Sequence, residues 1–266
     1  MLVGTSLFQF VGIEDSGIPL GVRELPAYYQ RFSRSMSLNR DRARWYLIAQ
    51  HNTTSALAIV AAETTGSIVQ RLRIAWLYEY TKGNNSCNGN EGPLLSSDRQ
   101  WLFVVNTTGI LVIADNDDSA SVEYMISHPG LCADNMVYSE ADSTLLVLDR
   151  SDYTIIVLNV STHHVSNISL TNICEEQIIG SLSRMTIFQN QSIIISVVTS
   201  SRKVVLLLID YNLRKLQARF DLGNMRDDAS LEPLSQLIYT QTDAQQYFLT
   251  IAHQAIGVAT IRLCEF

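Results

Sequence analysis

Basic residues, charge of either sign and long apolar runs are all scarce in this chain of 266 residues. Lysine and arginine number 19 against 26 aspartates and glutamates, a formal net charge of -7. A protein that grips a nucleic-acid backbone carries a basic face, because phosphate neutralisation supplies much of its affinity; nucleic acid is therefore not an expected partner. Charged residues make up 17% of the chain, below the roughly 25% of a typical soluble domain, which points to surface covered in an assembly. No apolar stretch approaches the ~20 residues that span a bilayer. The longest, such as Ser55–Ala62 and Val204–Ile209, are of strand length, so no membrane span is expected. Met1–Asp15 has no basic start and meets Glu14 and Asp15 early, unlike a signal peptide. The expectation is a soluble chain of the cytoplasm or nucleus.

Short catalytic motifs are missing as well. There is no Gly-x-Ser-x-Gly elbow, phosphate-binding glycine loop, His-Glu-x-x-His or dinucleotide fingerprint. No catalytic, cofactor-binding or metal-ligating residue is assigned, no cofactor is expected, and the chain reads as a non-enzyme. The four cysteines, Cys87, Cys132, Cys174 and Cys264, lack a Cys-x-x-Cys pair and are too widely spaced for zinc; thiols left free are expected. Asp115, Asp117 and Asp118 resemble the start of a calcium loop. Ala120 stands where that loop needs glycine and Ile126 where it needs a carboxylate, so a tight acidic turn is expected. His163 and His164 are adjacent, and neighbours on a strand face opposite ways, so a solvated turn is the better reading. His51, His128 and His253 are isolated and read as structural.

What the chain does have is repetition. Arg44–Ile48 leads through Asn52-Thr53-Thr54 to an apolar run, and Gln100–Val105 leads through Asn106-Thr107-Thr108 to Ile110–Ala114. An apolar run, a short polar turn and a second apolar run make a hairpin signature. The unit recurs at Leu145–Leu148 with Thr154–Val160, at Ile193–Val198 with Val204–Ile209, and at Tyr247–Ile251 with Val258–Leu263; Leu7–Ile13 reads as a further strand. Successive first strands start near residues 45, 101, 145, 193 and 247, intervals of 56, 44, 48 and 54. A period of about 40–50 residues with several strands per unit points to a propeller. Within units, Ile155–Leu158 and Val204–Leu208 are apolar without alternation, as inner strands buried on both faces must be. Pro19, Pro26, Pro93, Pro129 and Pro233 fall between units.

One unit, Ser151-Asp152-Tyr153-Thr154-Ile155-Ile156-Val157-Leu158-Asn159-Val160-Ser161-Thr162, resembles the end of a WD repeat. In that family an Asp-x-Thr turn precedes a strand closing on Trp-Asp. Asp152 and Thr154 match the turn, where the carboxylate would accept backbone N–H groups; Leu158 and Asn159 occupy the Trp and Asp positions. Gly109–Asp115 and Lys203–Asp210 keep the hydrophobic outline only, and no unit has the family's Gly-His pair. The resemblance implies an all-β propeller of about five to seven four-stranded blades.

Units fall near 1–33, 34–75, 92–127, 133–170, 181–222 and 234–266, with a polar loop insertion at 82–93. Four look complete and the last ends after its third strand. The N-terminal segment could supply the missing outer strand and close the ring, a degenerate pair could hide in Leu77–Leu95, or the ring is open and a partner chain completes a blade.

Trp76, Tyr78 and Tyr80 alternate, placing three aromatics on one face of a strand, either packed beneath the Gly83–Gly92 loop or a candidate interaction hot spot. Arg40, Arg42 and Arg44, with Arg31 and Arg34 nearby, form a local basic cluster, either a solvated loop and strand edge or a patch that docks an acidic partner. The reading is a protein–protein interaction scaffold, a subunit among other protein subunits. Its rivals are a propeller enzyme or small-ligand binder at the central channel, two β-sandwich domains split near Pro129, and a secreted glycoprotein domain. The last rests on six Asn-x-Ser/Thr sequons, at Asn52, Asn84, Asn106, Asn159, Asn167 and Asn190. Asn52, Asn106 and Asn159 fall in or beside predicted strands, where a glycan fits poorly, and the sequons are read as accidental.

Overall fold

The structure, a computed structural model, describes residues 9–13, 19–24, 29–32, 37–39, 44–51, 56–64, 72–81, 94–95, 101–106, 108–116, 119–179, 185–188, 191–224, 236–241, 247–253 and 257–263; side chains are described at Tyr46, for most of 101–224, and at Thr260. The chain divides into two compact units, Met1–Gly130 and Leu131–Phe266.

In the first unit, β1 (Gln9–Ile13) and β2 (Pro19–Glu24) make a two-stranded sheet. β3 (Tyr29–Phe32) and β4 (Ser37–Asn39) pair with successive stretches of one edge of β5 (Arg44–His51), and so fill a single strand position. β6 (Ala56–Thr64) and β7 (Leu72–Thr81) complete that sheet. A third sheet runs in order through β8 (Leu94–Leu95), β9 (Trp101–Asn106), β10 (Gly109–Asn116) and β11 (Ser119–Ser127). Among the described residues, Leu77–Leu95 contributes no strand pair of its own. Leu72–Thr81 is one ten-residue strand closing the sheet that starts at Tyr29, and Leu94–Leu95 opens the next. The unit read as ending at 75 runs on to Thr81, and the loop insertion at 82–93 lies outside the described residues.

The second unit repeats the pattern. β12 (Ala133–Ser139), β13 (Thr144–Asp149), β14 (Thr154–Asn159) and β15 (His164–Ser169) form one sheet, followed by the short helix α1 (Leu170–Cys174). β16 (Thr186–Phe188), β17 (Ser192–Val198), β18 (Lys203–Asp210) and β19 (Lys215–Asn224) form the next. β20 (Gln236–Gln241), β21 (Tyr247–His253) and β22 (Gly257–Leu263) form a three-stranded sheet. Every pairing is antiparallel and joins strands next to each other in sequence, apart from the split first strand β3–β4. First strands β12, β16 and β20 lie side by side. Among the described residues β22 pairs only with β21, and β1 only with β2.

The core of this unit explains its sequence. Leu146 and Leu148 of β13 meet Ile193, Ile195 and Val197 of β17, together with Val205, Leu207 and Ile209 of β18. The alternate residues Ile194, Leu206 and Leu208 pack on the other side of their sheet with Phe188. All seven residues of β17 are buried. A two-layer sandwich leaves one face of each sheet toward water and imposes alternation; strands covered on both faces need none. Aliphatic and β-branched residues therefore fill consecutive positions, where they also favour the extended backbone. The outer strands β11, β15 and β19 are partly exposed by comparison. Gly109, at the turn into β10, has φ +151, and a Cβ there would sit 1.8 Å from the Ile126 carbonyl oxygen. Only glycine fits that close approach.

Candidate functional site

Five turns of the second unit share one construction. Four residues join β12 to β13, β13 to β14, β14 to β15, β17 to β18 and β18 to β19. In each the fourth is left-handed: Ser143 (φ 54), Tyr153 (56), His163 (57), Arg202 (58) and Arg214 (55). No glycine serves at these five positions, so other contacts must hold the conformation. Three carboxylates or amides at strand ends do so. Asp149 Oδ1, on a residue 1% exposed, accepts from Ser151 N at 2.9 Å, Ser151 Oγ at 2.8 Å and Cys132 N at 3.2 Å. Asn159 Oδ1 accepts from Thr162 N and Oγ1, while its Nδ2 donates to the Asp142 carbonyl at 2.9 Å. Asp210 Oδ1 accepts from Leu213 N at 2.8 Å.

The WD-like turn differs from its expected wiring. Asp152 takes the Thr154 hydroxyl at 2.6 Å. The carboxylate that accepts backbone N–H groups is Asp149, three residues earlier. A buried strand-end aspartate can reach both its own turn and the incoming chain at Cys132; an exposed turn residue such as Asp152 reaches only its neighbour.

In an antiparallel meander alternate turns share an end. Turns 140–143 and 160–163 therefore lie together, and Tyr211 brings turn 211–214 beside them. Its hydroxyl is 3.0 Å from both Ser139 Oγ and Asp142 Oδ2. Burial pushes the Tyr211 hydroxyl up to about 12, with the Asp142 negative charge adding to the effect and the Ser139 hydrogen bond opposing it. Above this buried polar layer stand exposed tips: Leu213 at 70% exposure, the largest such value among the described hydrophobic side chains, with Asn212, Arg214, Ser161, Thr162 and His163. His163 and His164 are both exposed, as the sequence reading has them.

At the opposite end Arg219 clamps the segment after α1. Nη1 donates to the Cys174 carbonyl at 2.9 Å, Nη2 lies 2.5 Å from Glu176 Oε1, and Nε lies 3.3 Å from Asp221 Oδ1. Ser201 Oγ donates to Glu176 Oε2 at 3.0 Å. The Arg219 hydrogen bond holds the Glu176 carboxyl below the usual carboxylate range. These groups fasten the helix to β19. Among the described residues no three histidine, cysteine or acidic side chains could hold a metal ion together.

The residues singled out as interaction candidates belong to the first unit. Arg40 and Arg42 fall outside the described residues, and Arg44 opens β5 opposite Glu63 and Asn39. Trp76, Tyr78 and Tyr80 are all on β7. The register pairs Tyr80 with Leu57, Tyr78 with Ile59 and Trp76 with Val60, with a shift between Ile59 and Val60. The strict two-residue period that would align all three is interrupted there. Asp115 lies on β10, which meets β11 at Asn116 opposite Ser119; Asp117 and Asp118 are outside the described residues.

Cysteine usage departs from the expectation of free thiols. Cys132, just before β12, is disulfide-bonded. Cys174 is free and buried, and burial pushes its thiol up. The Cys132 partner lies outside the described residues. Spacing alone could not reveal it, because a disulfide depends on where two strand ends meet. Of the chain's four cysteines, two should react with a thiol reagent after denaturation without reductant and all four after reduction. Cys174 should stay protected in the folded protein; four thiols before reduction would refute the pairing.

No protein-family model and no curated protein sequence matches the chain. Solved structures do match it. Dihydro-heme d1 dehydrogenase NirN in complex with DHE aligns with 97% of this chain at a TM-score of 0.63 and 11% identity. The Cps50 (Swd1) β-propeller domain of Myceliophteria thermophila aligns with 91% at 0.53 and 9% identity, and covers 71% of that chain's length. A protein from Lactobacillus plantarum aligns with 94% at 0.57 and 15% identity, covering 72% of its length. The present chain spans half the length of the dehydrogenase. Identities this low carry the architecture and no activity, and the architecture they share with these meander sheets is the β-propeller: the chain is an all-β protein of that fold.

Proposed function

We propose that the chain is a WD-repeat-like interaction scaffold, a subunit of a larger assembly whose last sheet accepts a strand from another subunit. The observation that carries this reading is the sheet β20–β22. Four other sheets fill four strand positions, whereas this one holds three, and the outer side of β22 faces no strand among the described residues. An unpaired edge is a row of backbone donors and acceptors that recruits an extended chain. The neighbouring sheet β16–β19, whose strand β17 is buried along its whole length, makes a stiff support, and the exposed Leu213 turn end supplies a second contact surface. Backbone amides of Gly257–Leu263 should exchange with solvent many-fold more slowly once the protein is bound to the subunits that co-purify with it. Unchanged exchange across those residues in a stable complex would rule out strand addition, and a protein that purifies alone would rule out the scaffold.

A second reading, a glycoprotein domain of a secretory or extracellular compartment, is favoured by the Cys132 disulfide. Disulfides persist where the surroundings are oxidising and are rare in the reduced cytosol.

A further inference from the structure

We propose that Asn167 is an N-glycosylation site, and that its glycan covers the open edge of the sheet formed by β12–β15. This rests on the second reading, a chain that matures in an oxidising compartment.

The six sequons look alike as sequence, and the structure separates the two it describes. Asn167-Ile168-Ser169 lies on β15, the outermost strand of its sheet. Asn167 is exposed, and its side-chain amide makes no hydrogen bond among the described residues. Its neighbour Ile168 is buried in the core that joins the two sheets, so the strand is anchored while Asn167 projects to solvent. A branched sugar at that atom meets no packed side chain and breaks no bond of the fold.

Asn159-Val160-Ser161 has the opposite character. The nitrogen that would carry the sugar donates to the Asp142 carbonyl, and the adjacent oxygen holds Thr162 N and Oγ1. Val160 is buried and its N–H bonds the Ser143 carbonyl at 2.8 Å. A glycan at Asn159 would have to dislodge a turn wired at four points. Selection between the two sequons therefore follows from hydrogen bonding.

The placement also answers a hazard of the fold. β15 pairs on one side only, and an open strand edge invites pairing with another copy. Sugar at Asn167 would block that edge while leaving the Leu213 turn end clear.

The test uses the full protein isolated from its source cells. Thiols are alkylated without reductant, and peptides are then released from glycan by an N-glycanase in heavy-oxygen water, which labels each formerly glycosylated asparagine as it becomes aspartate. The expected result is label at Asn167, none at Asn159, and Cys132 protected from alkylation. Unlabelled Asn167 with Cys132 protected would overturn the site while leaving the compartment standing. Unlabelled Asn167 with Cys132 alkylated would overturn both, and label at Asn159 would overturn the selection between sequons. The Asn167→Gln protein, expressed through the same route, should lose one glycan's worth of mass and show increased self-association at high concentration. An unchanged mass would equally refute the assignment.

Discussion

Replacing Asp149 by alanine should lower stability by about 3 kcal/mol, a fall in Tm of roughly 5–10 °C for a chain of this length. The size follows from what is stranded. Asp149 is 1% exposed, and one carboxylate oxygen serves Ser151 N, Ser151 Oγ and Cys132 N. Alanine would remove all three bonds and leave two backbone N–H groups without that acceptor, and an unsatisfied buried donor costs about 1–3 kcal/mol. It would also loosen the turn that holds Tyr153 at φ 56 and the chain entering β12. Asparagine keeps the accepting oxygen, so Asp149→Asn should recover most of the loss; Asp152→Ala, which breaks only the Thr154 hydroxyl contact, should cost much less. Chemical denaturation of the three variants decides the matter. Equal losses at 149 and 152 would mean the turn is held by something else.

Tyr211→Phe should cost about 2 kcal/mol and change the response to alkali. The hydroxyl joins turn 211–214 to Ser139 and Asp142, 72 and 69 residues away. Phenylalanine fills the same space and strands those partners, including an Asp142 whose Oδ1 is already buried without a hydrogen bond. An ordinary tyrosine titrates near 10, and the folded Tyr211 near 12. Between those values the unfolded chain has released a proton that the folded one retains. The contribution from this group is therefore fully present below pH 10 and is lost as pH rises toward 12, on the order of 2 kcal/mol in total. Stability measured against pH from 9 to 12 should fall more steeply for the wild type than for Tyr211→Phe. Parallel curves would show that the hydroxyl titrates normally, contrary to its burial.

Much of the fold was legible because its cause is local. Runs such as Ile155–Leu158 and Val204–Leu208, bounded by turn residues and of strand length, fit strands covered on both faces, and their recurrence every 44 to 56 residues marks a chain of hairpin sheets. Other features of the fold were not legible in the sequence. The shift between Ile59 and Val60 breaks the alternation assumed for Trp76, Tyr78 and Tyr80, and a bulge has no reliable mark in a sequence of otherwise suitable strand residues. Asp149 looked like any polar residue after an apolar run, whereas Asp152 carried the family-like spacing.

The sequence by itself determined the all-β class, the hairpin units, and the absence of alternation in the inner strands, because strand propensity, turn chemistry and burial pattern act over a few residues. Tertiary structure alone decided which strand-end carboxylate ties the turns, that Tyr211 reaches Ser139 and Asp142, that Cys132 is paired while Cys174 is buried and free, and that Asn167 is exposed where Asn159 is engaged. Each of these depends on which positions, tens of residues apart, the stacking of sheets brings within about 3 Å, and that distance is written in the packing of side chains rather than in any local run of residues.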